Sequence, residues 1–234
     1  MNCLILAAGL GTRLRGISDS KPLTPVGGVP LIEHVIRRAA EGGATRIVVV
    51  TGHEAERVEA LLAGLQLRLA LPIGWERVAD WNLPNGHSVL AGSSVLKGDY
   101  LLSMSDHLFD PEIVRRLIAR RGGGTLLAVD RNLTGPLLDI DDATKVEVAD
   151  DGRILAIGKT IARYNAIDTG LFLATPELAE AIRAVVAAGG GGSLSEGMQR
   201  LAAAGRAGTV DVGDARWIDV DSPAMLELAE AFVA

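Results

Sequence analysis

The sequence predicts an α/β fold built on a Rossmann-like, mostly parallel mixed sheet with helices on both faces. Short runs rich in Val, Ile and Leu alternate with amphipathic stretches along the first half of the chain. Alternating strands and helices imply crossover connections, which join parallel strands. Ile47–Val50 and Leu101–Met104 carry apolar residues at nearly every position and therefore read as central strands covered on both faces.

The first-half elements follow from these runs in chain order. The apolar runs predict strands, and the amphipathic stretches between them predict helices. The predicted strands are Cys3–Ala8, Arg46–Thr51 and Tyr100–Ser105, and the predicted helices are Pro30–Ala40, Glu54–Ala63, Gly86–Val95 and Pro111–Arg121.

The pattern changes after about Asp130. Lys145–Val148 and Arg153–Ile157 flank Asp150-Asp151-Gly152, which predicts a β-hairpin with an Asp-Gly turn. We interpret residues 131–175 as a small inserted β lobe that binds an acceptor, within a single domain spanning residues 1–234.

The last third of the chain returns to helical spacing. A helix is expected at Pro176–Ala188, and Gly189–Gly192 reads as a flexible connection to the next helix. Ser193 and Glu196 have the spacing of a capping box, which marks the start of that helix. The remaining predicted elements are strands at Thr209–Val212 and Trp217–Val220 and a closing helix at Ser222–Ala234.

Composition excludes several classes of protein. Only 3% of residues are aromatic and 48% are hydrophobic, so the core must be built mainly from Leu, Val, Ile and Ala. The formal net charge of -6 argues against a sequence-independent nucleic-acid surface, which needs a clustered cationic face. The single cysteine, Cys3, lies in an apolar run, so we expect it to pack as a small hydrophobic residue. A lone cysteine cannot form an intramolecular disulfide, which indicates a reducing compartment.

The sequence also bears on location. Met1–Ala8 lacks the cationic segment of a leader peptide, and no apolar run approaches the length of about 20 residues needed to span a bilayer. We therefore expect a cytoplasmic protein without membrane insertion. Its oligomeric state stays open, a homo-oligomer included.

The most informative motif is L-A-A-G-L-G-T-R-L at residues 6–14, followed by Lys21-Pro22-Leu23. A strand that ends in small residues and glycines lets the backbone approach a polyphosphate closely. Arg13 and Lys21 would add positive charge. The segment lacks the third glycine of the dinucleotide fingerprint and the Gly-Lys-Ser/Thr of a Walker A loop. An ordinary glycine-rich turn is the alternative.

This motif resembles the signature of the sugar-phosphate nucleotidyltransferases, whose fold is the nucleotide-diphospho-sugar transferase type. The resemblance implies that the loop wraps a nucleoside triphosphate and that Lys21 neutralises charge at the reacting α-phosphate. The nucleotide-binding residues that we expect are Leu6, Ala7, Ala8, Gly9, Gly11, Thr12, Arg13, Lys21, Asn85, Gly86, His87, Ser88 and Ser105.

A carboxylate follows the predicted strand Tyr100–Ser105, at the sheet edge where open α/β folds bind ligands. Asp106 is a hard oxygen ligand suited to Mg²⁺, which usually takes one or two carboxylates together with substrate phosphates. Asp219 and Asp221 flank one residue of a late strand and would share a face. The family pattern assigns the second magnesium ligand to Asp219, and we expect Asp221 to cap the last helix. We expect His107 to orient Asp106 or pack beside it, and not to act as a base.

Asn82–Ser88 combines turn residues with donors and acceptors, as in a loop that reads a base edge, although a plain turn and helix cap is the alternative. The chain resembles the CTP:inositol-1-phosphate cytidylyltransferases over nearly its whole length. The motifs that carry this resemblance are N-G-H-S within this loop, S-D-H, D-D-A-T-K-V, I-G-K, Y-N-A-I-D-T-G and W-I-D-V-D. The resemblance implies that Lys159 holds the acceptor phosphate. Its other expected acceptor-binding residues are Asp142, Lys145, Asp168, Thr169 and Gly170, with solvated surface as the alternative for Asp142 and Lys145.

The reaction expected from these residues is the condensation of CTP with inositol 1-phosphate to give CDP-inositol and pyrophosphate, with Mg²⁺ as cofactor and with Lys21, Arg13 and Lys159 as catalytic residues. Known members of the group often carry a second, membrane-embedded transferase domain, so we expect a separate membrane transferase to use the product. Alternatives are another acceptor (hexose 1-phosphate, phosphonate or phosphocholine), a molybdopterin nucleotidyltransferase, or a non-catalytic nucleotide-sensing module.

Overall fold

The computed structural model describes residues 1–14, 16, 18–135 and 138–233. Its strands are β1 Asn2–Ala7, β2 Pro25–Val26, β3 Val29–Pro30, β4 Arg46–Thr51, β5 Ile73–Arg77, β6 Tyr100–Met104, β7 His107–Phe109, β8 Thr125–Asp130, β9 Lys145–Val148, β10 Ile154–Gly158, β11 Ala166–Ala174, β12 Ala207–Asp211 and β13 Trp217–Asp219. Its α-helices are α1 Leu31–Glu41, α2 Ala55–Leu69, α3 Gly86–Ser93, α4 Pro111–Ala119, α5 Pro176–Ala187, α6 Leu194–Ala203 and α7 Pro223–Val233. Two 3-10 turns lie at Thr12–Leu14 and Lys21–Leu23.

The central sheet is mixed, with a parallel core. β6, β1, β4 and β5 lie side by side and run parallel, while β11 pairs with β6 in the opposite direction. β11 also pairs with β8 and β9, and β12 runs parallel to β8. The predicted fold class is confirmed.

The two buried faces of β1 explain why its residues are apolar from Cys3 through Ala7. Cys3 and Ile5 pack into the core on one face of the sheet, and Leu4 and Leu6 pack into the core on the other. The first core takes side chains from α1, α2, α4 and α7, and the second takes them from α3, α5 and α6. Burial raises the pKa of Cys3 to about 12, so this thiol behaves as the small hydrophobe that the sequence predicts.

The capping box of α6 is present as predicted. The Ser193 hydroxyl accepts a hydrogen bond from the Glu196 N–H, and the Glu196 carboxylate accepts one from the Ser193 N–H at 2.7 Å. The side chain of Asn85, just before α3, accepts a hydrogen bond from the Leu194 N–H at 2.9 Å. These contacts bring the start of α6 to the start of α3.

The predicted hairpin is also present. β9 and β10 are antiparallel, and Gly152 adopts a φ of 83° in the turn between them. β9 pairs with β11 and so attaches the hairpin to the main sheet. The assignment of residues 131–175 to a separate acceptor-binding lobe stays a prediction.

Some elements escape the sequence analysis. β5 at the sheet edge contains Gly74, and β7 spans only three residues, so neither produces a strong periodic signal. β8 directly precedes the segment 131–175 that the sequence analysis interprets as a lobe, and β11 lies within that segment but pairs with β6 and β8 in the main sheet. In the described part of the chain, no helix combines the length and the apolar character that crossing a bilayer requires.

Gly92 permits close packing of α3 on the sheet. A Cβ at Gly92 would lie 2.3 Å from Leu4 Cδ1 and 2.7 Å from Val50 Cγ2, and both side chains are fully buried. We expect Gly92→Ala to lower the melting temperature, because overpacking costs about 1–3 kcal/mol while alanine recovers about 1 kcal/mol of helix propensity. Gly64→Ala in α2 is the control, because nothing lies within 4 Å of its added Cβ, and it should raise the melting temperature. A higher melting temperature for both variants would contradict the packing argument.

Candidate active site

The glycine-rich loop after β1 brings Lys21 against the end of that strand. Gly11 has a φ of 64°, and a Cβ on it would lie 2.5 Å from the Cβ of Lys21. Only glycine therefore allows the loop to fold beside Lys21 in this conformation. The Lys21 side chain is mostly buried, with 14% of its surface exposed.

Two strand ends bring the acidic residues together. Asp106 follows β6, and the antiparallel pairing of β7 with β13 sets Asp219 opposite His107. The Lys21 Nζ lies 2.5 Å from Asp106 Oδ2 and 3.8 Å from Asp219 Oδ1. The His107 Nδ1 lies 2.7 Å from Asp106 Oδ1, which confirms the prediction that His107 orients Asp106.

The position of His107 depends on a glycine and an indole. Gly170 has a φ of 74°, and a Cβ there would lie 2.5 Å from His107 Cδ2. The His107 ring also stacks on Trp217, with ring centroids 6.1 Å apart. The imidazole is therefore enclosed and holds the Asp106 carboxylate in one orientation.

The buried charges perturb one another strongly. Burial alone would raise the pKa of Asp106, but Lys21 and His107 hold it well below its usual range. Burial would lower the pKa of His107, yet Asp219 and Asp106 raise it to about 9. Burial raises the pKa of Asp219 to about 6, although the nearby charge of His107 acts to lower it. Burial also raises the pKa of Asp168 to about 6.

Three adjoining cavities surround this cluster. The β1 cavity, about 240 Å³, lies against the glycine-rich loop and is lined by Leu6, Ala8, Gly9, Gly11, Lys21, Pro22, Trp81, Leu83, Asn85, Ser88, Met104, Ser105 and Asp106. The central cavity, about 530 Å³, is lined by Leu10, Gly11, Arg13, Lys21, Trp81, Asn82, Asp106, Asp142, Asp219 and Asp221.

The third, the hairpin cavity, measures about 250 Å³ and lies between β11 and the residues that flank the hairpin. Its lining includes Asp142, Lys159, Asp168, Gly170 and Ser195. Asp106 lines all three cavities. A ligand in the β1 cavity and a second ligand in the hairpin cavity would therefore meet at this carboxylate.

A chain of ion pairs links the lining of the central cavity to that of the hairpin cavity. Asp142 lies 2.9 Å from the Arg13 guanidinium and 2.7 Å from the Lys159 ammonium. Hydrogen bonds from Arg13 and Lys159 lower the pKa of Asp142 to about 2. Arg13 also contacts Asp221, so its guanidinium points to these two carboxylates.

The prediction that Asp221 caps the last helix is wrong. The hydroxyl of the next residue, Ser222, accepts a hydrogen bond from the Met225 N–H at 3.3 Å. The Asp221 carboxylate instead contacts Arg13. Asp219 and Asp221 both line the central and the hairpin cavity, as expected of two residues on one face.

Several residues expected to bind ligands lie outside the three cavity linings. The Thr169 hydroxyl donates to the Ala128 carbonyl at 2.8 Å, and the Lys145 Nζ donates to the Lys159 carbonyl at 3.2 Å. The His87 Nε2 lies 3.2 Å from the Gly191 carbonyl oxygen. Ala7 and Gly86 are buried. Thr12 begins the 3-10 turn Thr12–Leu14, and its side chain lies outside the described part of the structure.

Other lining residues escape the sequence analysis. Trp81 lines the β1 and central cavities, and Trp217 and Ser195 line the hairpin cavity. One signal for Trp81 exists in the sequence, because it is one of three tryptophans and directly precedes the Asn82–Ser88 turn. Trp217 begins the W-I-D-V-D motif, although the motif does not mark its side chain as a lining residue, and no local pattern marks Ser195.

A comparison with known protein families identifies the family of this chain. Residues 3–202 match the sequence profile of the MobA-like NTP transferase domain. The chain belongs to the MobA-like NTP transferase family. This MobA-like domain carries the glycine-rich loop, Lys21 and Asp106 within the matched residues, and the predicted resemblance to nucleotidyltransferases is confirmed.

Individual relatives show which members of this family the chain is similar to. It is 39% identical, over 98% of its length, to the bifunctional IPC transferase and DIPP synthase of Rubrobacter xylanophilus, and 32% identical, over 97%, to that of Thermococcus kodakarensis. It covers 51% and 49% of those proteins, so the chain spans about half the length of these curated relatives. It also superposes on the inositol-1-phosphate CTP transferase from T. maritima with a TM-score of 0.84 and 26% identity, covering 97% of this chain and 94% of that one.

Proposed function

We propose that this MobA-like domain condenses CTP with inositol 1-phosphate to give CDP-inositol and pyrophosphate. The observation that carries the proposal is the junction of cavities at Lys21 and Asp106, with the β1 cavity on one side and the hairpin cavity on the other. The names of the Rubrobacter xylanophilus relative and of the T. maritima structure support the choice of substrates.

In the proposed reaction CTP occupies the β1 cavity, with its triphosphate against the glycine-rich loop. An oxygen of the acceptor phosphate attacks the α-phosphorus and forms a new P–O bond. The bond from the α-phosphorus to the oxygen that bridges the α- and β-phosphates breaks, and pyrophosphate leaves. Because the acceptor phosphate is itself a competent nucleophile, the chain need only position and screen charge.

Lys21 is the central cation in this scheme. Burial lowers its tendency to hold a proton, but Asp106 and Asp219 raise its pKa above the ordinary value, so it stays charged. A buried ammonium with a fixed position can stabilise negative charge at the α-phosphate without reorganising solvent.

Asp106 and Asp219 fit a magnesium ion. Together with His107 they offer ligand atoms that all lie within 4.8 Å of one another. Among the described residues, no donor hydrogen-bonds to the buried Oδ1 of Asp219, which leaves a carboxylate oxygen available. When bound, Mg²⁺ would screen the charge of the two phosphates as they approach.

The acceptor phosphate is assigned to Lys159, which lines the hairpin cavity. We expect Lys159→Ala to raise the KM for inositol 1-phosphate by about 10- to 100-fold, since a charge-assisted hydrogen bond is lost. The KM for CTP should change by less than about threefold. Steady-state kinetics with each substrate varied in turn measure the two constants.

Arg163→Ala is the matched control for Lys159→Ala. Arg163 lies near the same loop, is 85% exposed and pairs with Glu147 at 3.1 Å, so both KM values should match the parent chain. Equal increases of the two KM values in Lys159→Ala would instead assign Lys159 to the triphosphate.

Pyrophosphate release across four nucleoside triphosphates and a panel of phosphorylated acceptors tests the proposed function. CTP with inositol 1-phosphate should turn over fastest. Faster turnover of glucose 1-phosphate with UTP or dTTP would keep the reaction type and reject these substrates. Binding of a nucleotide without pyrophosphate release from any pair would favour a non-catalytic sensing module.

A further inference from the structure

Trp81 lies where the β1 and central cavities join, and the expected nucleotide-binding residues do not include it. It lines both cavities together with Gly11, Lys21 and Asp106. Leu83, two residues further along the chain, lines the β1 cavity and is 46% exposed. The entrance to the β1 cavity therefore carries a half-buried indole, which also packs against the core that includes α3, α5 and α6, and the exposed side chain of Leu83.

The position of Trp81 is held by a glycine. Gly52 follows β4, and a Cβ on it would lie 2.7 Å from the Trp81 Cβ and 2.8 Å from the Ala8 carbonyl oxygen. The absence of a side chain at Gly52 thus lets the loop that carries Trp81 approach the end of β1. Any other residue at this position would push Trp81 away from the glycine-rich loop.

His53 supports the indole from a second direction. The ring centroids of His53 and Trp81 lie 5.2 Å apart with an interplanar angle of 60°. The His53 Nε2 donates to the Asp19 carbonyl oxygen at 3.0 Å, and Asp19 is two residues before Lys21. The indole, the loop after β4 and the segment leading to Lys21 are therefore packed as one unit.

The indole N–H of Trp81 is available as a hydrogen-bond donor. Among the hydrogen bonds between described residues, none is donated by the Trp81 Nε1, whereas the Trp217 Nε1 donates to Asp130 at 2.8 Å. A partly exposed indole with an available donor presents both an apolar face and a polar atom to the cavities. A nucleotide offers the complementary surfaces, since it has a ribose and base to cover the face and phosphate oxygens to accept the hydrogen bond.

We propose that Trp81 binds the nucleotide, with its indole packed against the nucleoside where the β1 and central cavities meet. This inference rests on the proposed function, because it takes the nucleotide to occupy the β1 cavity. Stacking of a base on an aromatic side chain contributes binding energy in single-stranded nucleic-acid sites as well.

The test compares Trp81→Leu with Trp75→Leu. Trp75 is 38% exposed on the edge strand β5 and lines none of the three cavities. We expect Trp81→Leu to raise the KM for CTP by about tenfold or more, with the KM for inositol 1-phosphate within about twofold. Trp75→Leu should leave both constants unchanged.

Intrinsic fluorescence supplies a readout that does not need turnover. CTP should quench the tryptophan fluorescence of the parent chain, and the quenching should be lost in Trp81→Phe, which keeps an aromatic ring for packing. Retained quenching in Trp81→Phe, or an unchanged KM for CTP in a folded Trp81→Leu, would overturn the inference. An active parent chain with either result leaves the proposed function standing, whereas a parent chain inactive with every substrate pair rejects the proposed function itself.

Discussion

Lys21→Ala should lower the rate of pyrophosphate release from CTP by at least about 100-fold, the effect of removing one preorganised donor from a reacting centre. The Lys21 Nζ lies 2.5 Å from Asp106 Oδ2 and 3.8 Å from Asp219 Oδ1, and only 14% of the side chain is exposed. No other cation of the described residues lines both the β1 and the central cavity. The loss should appear mainly in kcat, because the ammonium acts on charge that develops in the transition state.

Lys97→Ala is the control for this substitution, because Lys97 is exposed and lines none of the three cavities. Its kinetic constants should match those of the parent chain. Melting curves and direct titration with CTP separate a catalytic loss from a folding defect. A folded Lys21→Ala variant with near-normal kcat would reject the role of Lys21 and, with it, the assigned reacting centre.

Asp106→Asn and Asp219→Asn should each raise the Mg²⁺ concentration needed for half-maximal activity by about tenfold or more, the scale on which weakened metal sites lose affinity. Each substitution replaces a carboxylate oxygen of the three-residue cluster with a weaker amide ligand. Binding of Mn²⁺, followed directly by its paramagnetic signal, should weaken in parallel. This second measurement does not depend on catalysis.

Two further variants make the metal assignment specific. Asp150→Asn changes an exposed carboxylate in the turn after β9 and should leave the Mg²⁺ requirement unchanged. Asp221→Asn removes a partner of Arg13 and should alter the KM for CTP more than the Mg²⁺ requirement. If Asp221→Asn weakens Mn²⁺ binding while Asp219→Asn does not, the second ligand has been assigned to the wrong carboxylate.

The roles of Asp219 and Asp221 show where prediction from sequence stops. Period-two alternation correctly places both residues on one face, because both line the central and the hairpin cavity. The helix cap is Ser222, one residue later than expected, which leaves the Asp221 carboxylate to contact Arg13. A helix start that differs by one residue is enough to change the partner of a side chain, and local patterns locate such boundaries poorly.

Trp81 shows a second reason why a site residue can escape prediction from the sequence. Its place in the cavity linings depends on Gly52 and His53, which belong to a different loop. Neither residue carries a signature of its own, because a glycine after a strand and a histidine before a helix are common in any α/β protein. Their joint effect appears only when β4 and the loop after β5 are adjacent.

What the sequence determined by itself is the sheet and the chemical groups. The continuous apolar run in β1 specified burial on both faces, and the glycines before Arg13 specified a loop in which Gly11 adopts a positive φ. Both properties depend on neighbours within a few residues. The tertiary structure alone decided that Lys21, Asp106 and Asp219 share one site and that Asp142 joins Arg13 to Lys159. The physical reason is that these residues come from distant segments, whose proximity depends on how the crossover helices and the β7–β13 pair pack around the sheet.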